Sequence, residues 1–241
     1  MENKTNVQHV QVPDPTDFKD LKPTDRLVYA NIRRFMNKDT YTCYPSITII
    51  AQKCGLTTQT IQNSIKRLIK FGYIEILPEK HNGKNNIYKF KKIENDFEQF
   101  TNEFLDNKDL TANEKAYLIG LQSQCYKNGE FAITSYSNNQ IANKLDMSLN
   151  SVKKYNTSLT TKEIMQELKT ASFDEDGFSK VVRAIDMAKI GQRVLFEVAV
   201  NHEDRIKQLE TTVAILIKQN AELTKQLKET IGTQDVFEFV E

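Results

Sequence analysis

The stretch SITIIAQKCGLTTQTIQNSIKRLIKF, Ser46 to Phe71, decides the fold. It reads as two short helices around a tight turn, with the second starting near Thr57. Ile47, Ile50 and Ala51 give the first helix a buried side. Gly55 supplies a residue tolerant of positive φ where that helix ends, and Thr57 or Thr58 can cap the next through a side-chain oxygen.

The second helix has two unlike sides. At about 100° per residue, Ile61, Ile65, Leu68 and Ile69 fall together, while Gln59, Asn63, Lys66, Arg67 and Lys70 fall roughly opposite. The outward side carries amides and cations but no carboxylate, whereas an ordinary solvated face mixes both signs. Amides can pair with adenine edges in a major groove, and Lys and Arg reach guanine or phosphate. The expected DNA-contacting residues are Thr58, Gln59, Asn63, Lys66, Arg67 and Lys70 on this helix.

Charge along the chain agrees. Lys and Arg number 1 against 3 Asp and Glu in residues 1–18, 15 against 5 in 19–92, and 17 against 24 in 93–241. The formal net charge of +1 therefore hides a basic segment around the helix pair, as a polyanion-binding surface requires. Cys43, Cys54 and Cys125 lack close metal-ligand spacing and read as reduced core thiols. No apolar run is long enough to span a bilayer and the N-terminus has no secretory core, so a cytoplasmic protein without a membrane partner is expected.

Residues 1–18 are polar, with Pro13 and Pro15 flanking an Asp, and read as a flexible arm. Pro23, Thr24 as N-cap and an apolar rhythm from Leu27 to Met36 predict a first helix over Asp25–Asn37. Thr40 to Tyr44 suits a short strand. After Gly72 the period becomes alternating: Tyr73–Leu77, the turn HNGKNN, and Ile87–Lys91 predict a β-hairpin. Its tip places Lys80, Lys84 and Asn85, with His81 and Asn86, where they could reach phosphate or a minor groove; Lys89, Lys91 and Lys92 follow along the returning strand.

Helix, strand, helix, turn, helix and hairpin, with TTQTIQNSIKRLIKFGYIEI at the junction, resemble a winged helix-turn-helix. Such domains occur in phage and plasmid replication initiators and in bacterial transcription regulators. The resemblance covers residues 19–92 and implies double-stranded DNA binding; winged helices also serve as protein-interaction modules.

A connector over 93–109 leads to a weaker second copy, a winged-helix-like domain over 110–189. LTANEKAYLIGL (110–121) resembles LKPTDRLVYANI (21–32), and SNNQIANKLDMSLNSV (137–152) resembles SITIIAQKCGLTTQTI (46–61). A hairpin is expected from Ile164–Thr170, the turn FDEDG, and Phe178–Ala184. Asn156 stands where the first copy has Ile65, and Asp174, Glu175 and Asp176 at the hairpin tip would repel phosphate, so a packing or dimerising role is expected for this copy.

From Ile190 the pattern is that of a long helix, 190–231. Ile206, Leu209, Val213, Leu216, Asn220, Leu223 and Leu227 alternate spacings of three and four, a heptad with Asn220 at an a position, which favours a parallel homodimer. Ile215 and Ile217 widen the stripe and leave a trimer, a tetramer or packing onto the second domain open. The acidic tail 232–241 reads as a frayed end or as a docking peptide for a protein partner.

No constellation for catalysis is legible. His9, His81 and His202 are too dispersed for a paired-histidine metal site, and no phosphate-binding Gly-Lys-Ser/Thr loop exists. Tyr41 and Tyr44 lack an acidic cluster to hold Mg²⁺. The expectation is an α+β protein of two tandem winged helix-turn-helix domains and a coiled coil. It would be non-enzymatic, would need no cofactor or metal, and would act in transcription regulation or phage or plasmid replication initiation. The alternative is an assembly scaffold using the same modules for protein contacts.

Overall fold

Val10 and Val12 alternate with polar neighbours in strand β1 (His9–Pro13) and are both buried. Each such burial is worth about 2 kcal/mol. In this computed structural model, which describes residues 9–13, 21–93, 97–128, 130–173 and 179–192, the strand lies within one compact unit containing all of them. The expected flexible arm thus contains an ordered strand. Its partner lies far along the chain, in residues 97–101, with Val10 opposite Phe100.

Helix α1 (Pro23–Arg33) begins two residues earlier than expected and ends four earlier. Lys22, not Thr24, is the N-cap, because Pro23 suits the first helical position and the Asp25 carboxylate accepts the Lys22 amide N–H at 2.9 Å. Every residue from Asp25 to Arg33 is buried, so α1 is enclosed on all sides. Strand β2 (Thr42–Cys43) follows. Helix α2 (Ile47–Cys54) starts at Ser46, whose hydroxyl accepts the Ile49 N–H, and stops at Gly55 with φ 66°. Thr57 then caps α3 (Thr58–Lys70) by accepting the Thr60 N–H. Ile61, Ile65 and Leu68 are buried under α3, and a hairpin of β3 (Ile74–His81) and β4 (Asn85–Phe90) returns over β2 in a three-stranded antiparallel sheet.

The expected connector is also structured. It forms β5 (Phe97–Thr101), the partner of β1, and the short helix α4 (Asn102–Asp106). Helix α5 (Ala112–Gln122) then packs against α1 and is buried from Glu114 to Gln122. Strands β6 (Tyr126–Asn128) and β7 (Phe131–Thr134), helices α6 (Asn138–Leu145) and α7 (Leu149–Thr161), and strands β8 (Met165–Phe173) and β9 (Ser179–Asp186) complete the order. The last sheet is four-stranded and antiparallel, in the order β6-β7-β9-β8. The architecture is mixed α+β, with seven helices and small antiparallel sheets among the described residues.

The limits of α6 and α7 sit 91 positions beyond those of α2 and α3: Ile47 to Asn138, Cys54 to Leu145, Thr58 to Leu149, Lys70 to Thr161. The left-handed residues keep the same offset. Gly55 (φ 66°) corresponds to Asp146 (φ 52°), and Gly72 (φ 74°) to Glu163 (φ 56°).

The described chain closes on the connector. Thr101 Oγ1 donates to the Gly191 carbonyl at 2.6 Å, and its N–H donates to Gln192 Oε1 at 3.0 Å. Gly191 has φ 76°, and a Cβ there would sit 2.7 Å from Glu103 Cγ, so glycine is required on both counts. Residues 187–191 form a turn, whereas a helix was expected from Ile190. The heptad residues Ile206, Leu209, Val213, Leu216, Asn220, Leu223 and Leu227, the tail 232–241 and the acidic tip Asp174–Asp176 lie outside the described residues. No helix among the described residues is long and apolar enough to cross a membrane.

Candidate nucleic-acid interface

α3 buries one side against α1 and leaves the other in solvent. Thr58, Gln59, Gln62, Asn63, Lys66 and Lys70 are all exposed. Apart from Thr58 on the flank, they form one stripe along the helix, because positions three and four apart share a face. Gln62, absent from the expected set, belongs to this stripe; its spacing from Gln59 and Lys66 was the available signal. Gln59 Nε2 donates to Asn63 Oδ1 at 3.3 Å, holding two amides side by side. Lys66 and Lys70 have no carboxylate partner among the described residues, and the Lys70 ammonium lies 5.2 Å from the Phe71 ring centroid.

Two assignments on α3 change. Arg67, expected on the outward face, turns toward α1: its Nε and Nη2 donate to the Asp25 carboxylate at 2.8 and 2.7 Å. That pairing raises the Arg67 pKa further and commits the side chain to the fold. Ile69, expected on the buried side, is 39% exposed. Both residues lie on the flanks of the helix, where periodicity alone does not say which way a side chain bends. Ser64, small and fully buried, takes the inward place beside Leu68.

The first hairpin brings Lys80, Lys84 and Asn85 to its tip. Lys80 and Lys84 are exposed, Asn85 is half-buried, and Lys80 Nζ donates to Asn86 Oδ1. Asn82 and Gly83 at φ 50° and 66° make the turn. The hairpin is less cationic than its tip suggests. Glu75 sits opposite Lys89 in the ladder, and Glu79 is exposed beside Lys80. Tyr44, half-exposed just before α2, stacks on His81 with ring centroids 3.6 Å apart and planes 13° from parallel. This pair joins the helix pair to the hairpin and was not foreseen.

The second half repeats the buried carboxylate and the outward helix face. The carboxylate of Glu114 on α5 takes the place of Asp25 and clasps α7. Ser158 donates to it at 2.6 Å, and Lys162 at 2.7 and 2.9 Å. Burial pushes the Glu114 carboxyl up, but hydrogen bonds from Lys162, Ser158 and Thr111 outweigh this and bring it to about 2. Asn156 is buried with partners: it accepts the Tyr117 hydroxyl at 2.6 Å and donates to Asn138 at 2.9 Å. The outward side of α7 shows Asn150, Lys153, Lys154, Thr157, Thr160 and Thr161, two cations and no carboxylate.

Elsewhere, Asp106 on α4 receives Arg34 at 2.7 and 2.9 Å and Lys53 at 3.1 Å, and Arg34 chiefly holds its carboxyl at about 2. Burial pushes the thiols of Cys43, Cys54 and Cys125 up to about 12, so none is a ready nucleophile. No group of three or more His, Cys, Asp or Glu among the described residues is placed to hold a metal ion.

Residues 19–74 match the model of a helix-turn-helix domain family, a span running from just before α1 through the outward stripe of α3 to the start of β3. The chain thus carries a helix-turn-helix domain. No curated protein sequence matches the chain. Among solved structures, one similar chain is the Pi initiator protein, in a crystal structure of its complex with iteron DNA. It is 10% identical, with a TM-score of 0.47 over 73% of this chain and 96% of that one.

Proposed function

We propose that the protein is a non-enzymatic binder of double-stranded DNA, with α3 laid in the major groove and the tip of the first hairpin on the flanking backbone. The observation that carries this is the stripe Gln59, Gln62, Asn63, Lys66 and Lys70, solvent-facing and free of carboxylates on a capped helix held by Asp25 and Arg67. The amides supply base-edge recognition and the lysines phosphate contact. Residues 110–189 act as a second winged-helix-like domain. Support for this comes from the shared spacing of α2, α3, α6 and α7 and the matched buried carboxylates Asp25 and Glu114. Its α7, with two lysines on an otherwise uncharged face, is secondary to α3 in DNA contact. The heptad over 206–227 joins two copies, so that paired half-sites are read together. The cellular role is transcription regulation or initiation of phage or plasmid replication.

Selection of bound sequences from random duplexes tests this. The parent chain is expected to enrich paired half-sites. The Gln59→Ala/Asn63→Ala chain should still bind duplex with flattened preference. Failure of the parent to retain any duplex would favour the assembly-scaffold reading.

A further inference from the structure

Arg33, the last residue of α1, is buried, yet among the described residues its guanidinium has no carboxylate partner. Its side chain makes one hydrogen bond, from Nη1 to the neutral Tyr29 hydroxyl at 3.0 Å, and it lies 5.3 Å from the Phe90 ring centroid. Four other cations of this unit have carboxylate partners, Arg34 with Asp106, Arg67 with Asp25, Lys162 with Glu114 and Arg183 with Glu167, while buried Lys115 donates to the Leu105 carbonyl at 2.7 Å. A guanidinium withdrawn from water without a counter-charge is unfavourable unless something negative comes to it.

The structure leaves room for that beside Arg33. A cavity of about 670 Å³ opens there, lined by Arg33, Lys38, His9, Tyr41, Gln99 and Asn102 among others, and none of its described lining residues is acidic. Both ring nitrogens of His9 are shielded from solvent and have no hydrogen-bond partner among the described residues. The imidazole is held below its ordinary pKa by burial and by the Lys38 ammonium, which places two basic side chains close together.

We infer that this cavity binds a small phosphate monoester. Two cations lining one cavity, buried Arg33 and exposed Lys38, match a dianion better than a single carboxylate, and the guanidinium fork suits phosphate oxygens. His9 and the side-chain amide of Gln99 supply further polar contacts, and the Tyr41 ring supplies surface for the organic part of the ester. The volume lies within the range of small-molecule sites, about 300–1,000 Å³. The site is lined by β1, β5 and the C-terminal end of α1, apart from the stripe on α3, so it stands without the DNA reading.

Calorimetric titration of the full chain with inorganic phosphate, adenosine monophosphate and adenosine tests the assignment. The monophosphate is expected to bind, phosphate more weakly, and adenosine not at all. Arg33→Gln and Lys38→Gln should each weaken the monophosphate at least tenfold, with Lys108→Gln, at an exposed position away from the cavity lining, unchanged. Lys38 is exposed, so its variant reports even if the Arg33 variant fails to fold. No binding of either phosphate at millimolar concentration, equal binding of adenosine, or full affinity in Lys38→Gln would overturn the inference. If neither phosphate binds but Lys38→Gln lowers duplex DNA affinity, the phosphate recognised there belongs to the DNA backbone and the small-molecule site is likewise overturned.

Discussion

The guanidinium of Arg67 forks onto the carboxylate of Asp25 with contacts of 2.8 and 2.7 Å, tying the last turn of α3 to the first turn of α1. Asp25 is fully buried, while the Arg67 side chain keeps 26% of its surface exposed. The pair orients α3 so that the amide and lysine stripe faces solvent.

Arg67→Ala should therefore act on stability. It leaves a buried carboxylate without its partner, which costs on the order of 3 kcal/mol. Lys66→Ala, one residue away on the exposed stripe, should cost less than about 0.5 kcal/mol. Urea denaturation of both variants checks this; equal midpoints would return Arg67 to the outward surface.

Glu114 predicts an acid limb to the stability curve. Its carboxyl has a pKa of about 2 in the folded chain against an ordinary 4.5. Since the folded value is the lower one, the folded form is favoured above pH 4.5, and that stability is lost as pH falls toward 2. The loss is about 3 kcal/mol. Glu114→Gln should flatten the curve in this window; an unchanged pH dependence between the two proteins would contradict the assignment.

The left-handed position at the end of α6 predicts a stabilising change. Gly55 ends α2 at φ 66°, whereas Asp146 ends α6 at φ 52° with the strain of a side chain. Asp146→Gly should raise stability by about 0.5 kcal/mol. Gly55→Ala, where an added Cβ meets nothing within 4 Å, should lose about 1 kcal/mol from backbone strain alone. Thermal melts of the two variants moving in the same direction would refute the equivalence.

Much of the first half was legible because its signals are local. Ser46, Gly55 and Thr57 each satisfy backbone groups within a few residues, and Ile61, Ile65 and Leu68 mark a helical period. Long-range relations were not legible. Val10 finds Phe100, Arg67 finds Asp25 and Gln192 finds Thr101 across spans that no window of sequence joins. A polar arm and a polar connector each looked unstructured alone, because a strand's partner is part of its stability. The same limit misplaced Arg67 and Ile69, whose positions on the flanks of α3 are decided by what α1 offers them. Asn156 looked like a defect in an apolar position and is explained by Tyr117 and Asn138.

The proposed DNA contact depends on the lysines of the α3 stripe meeting phosphate. The most direct measurement is the salt dependence of duplex affinity for the parent and for Lys66→Ala/Lys70→Ala, both near-surface changes that leave the Asp25–Arg67 pair intact. Loss of two phosphate contacts should weaken binding and make the log–log salt slope shallower by about 2. An unchanged slope and affinity would contradict placement of α3 in the major groove.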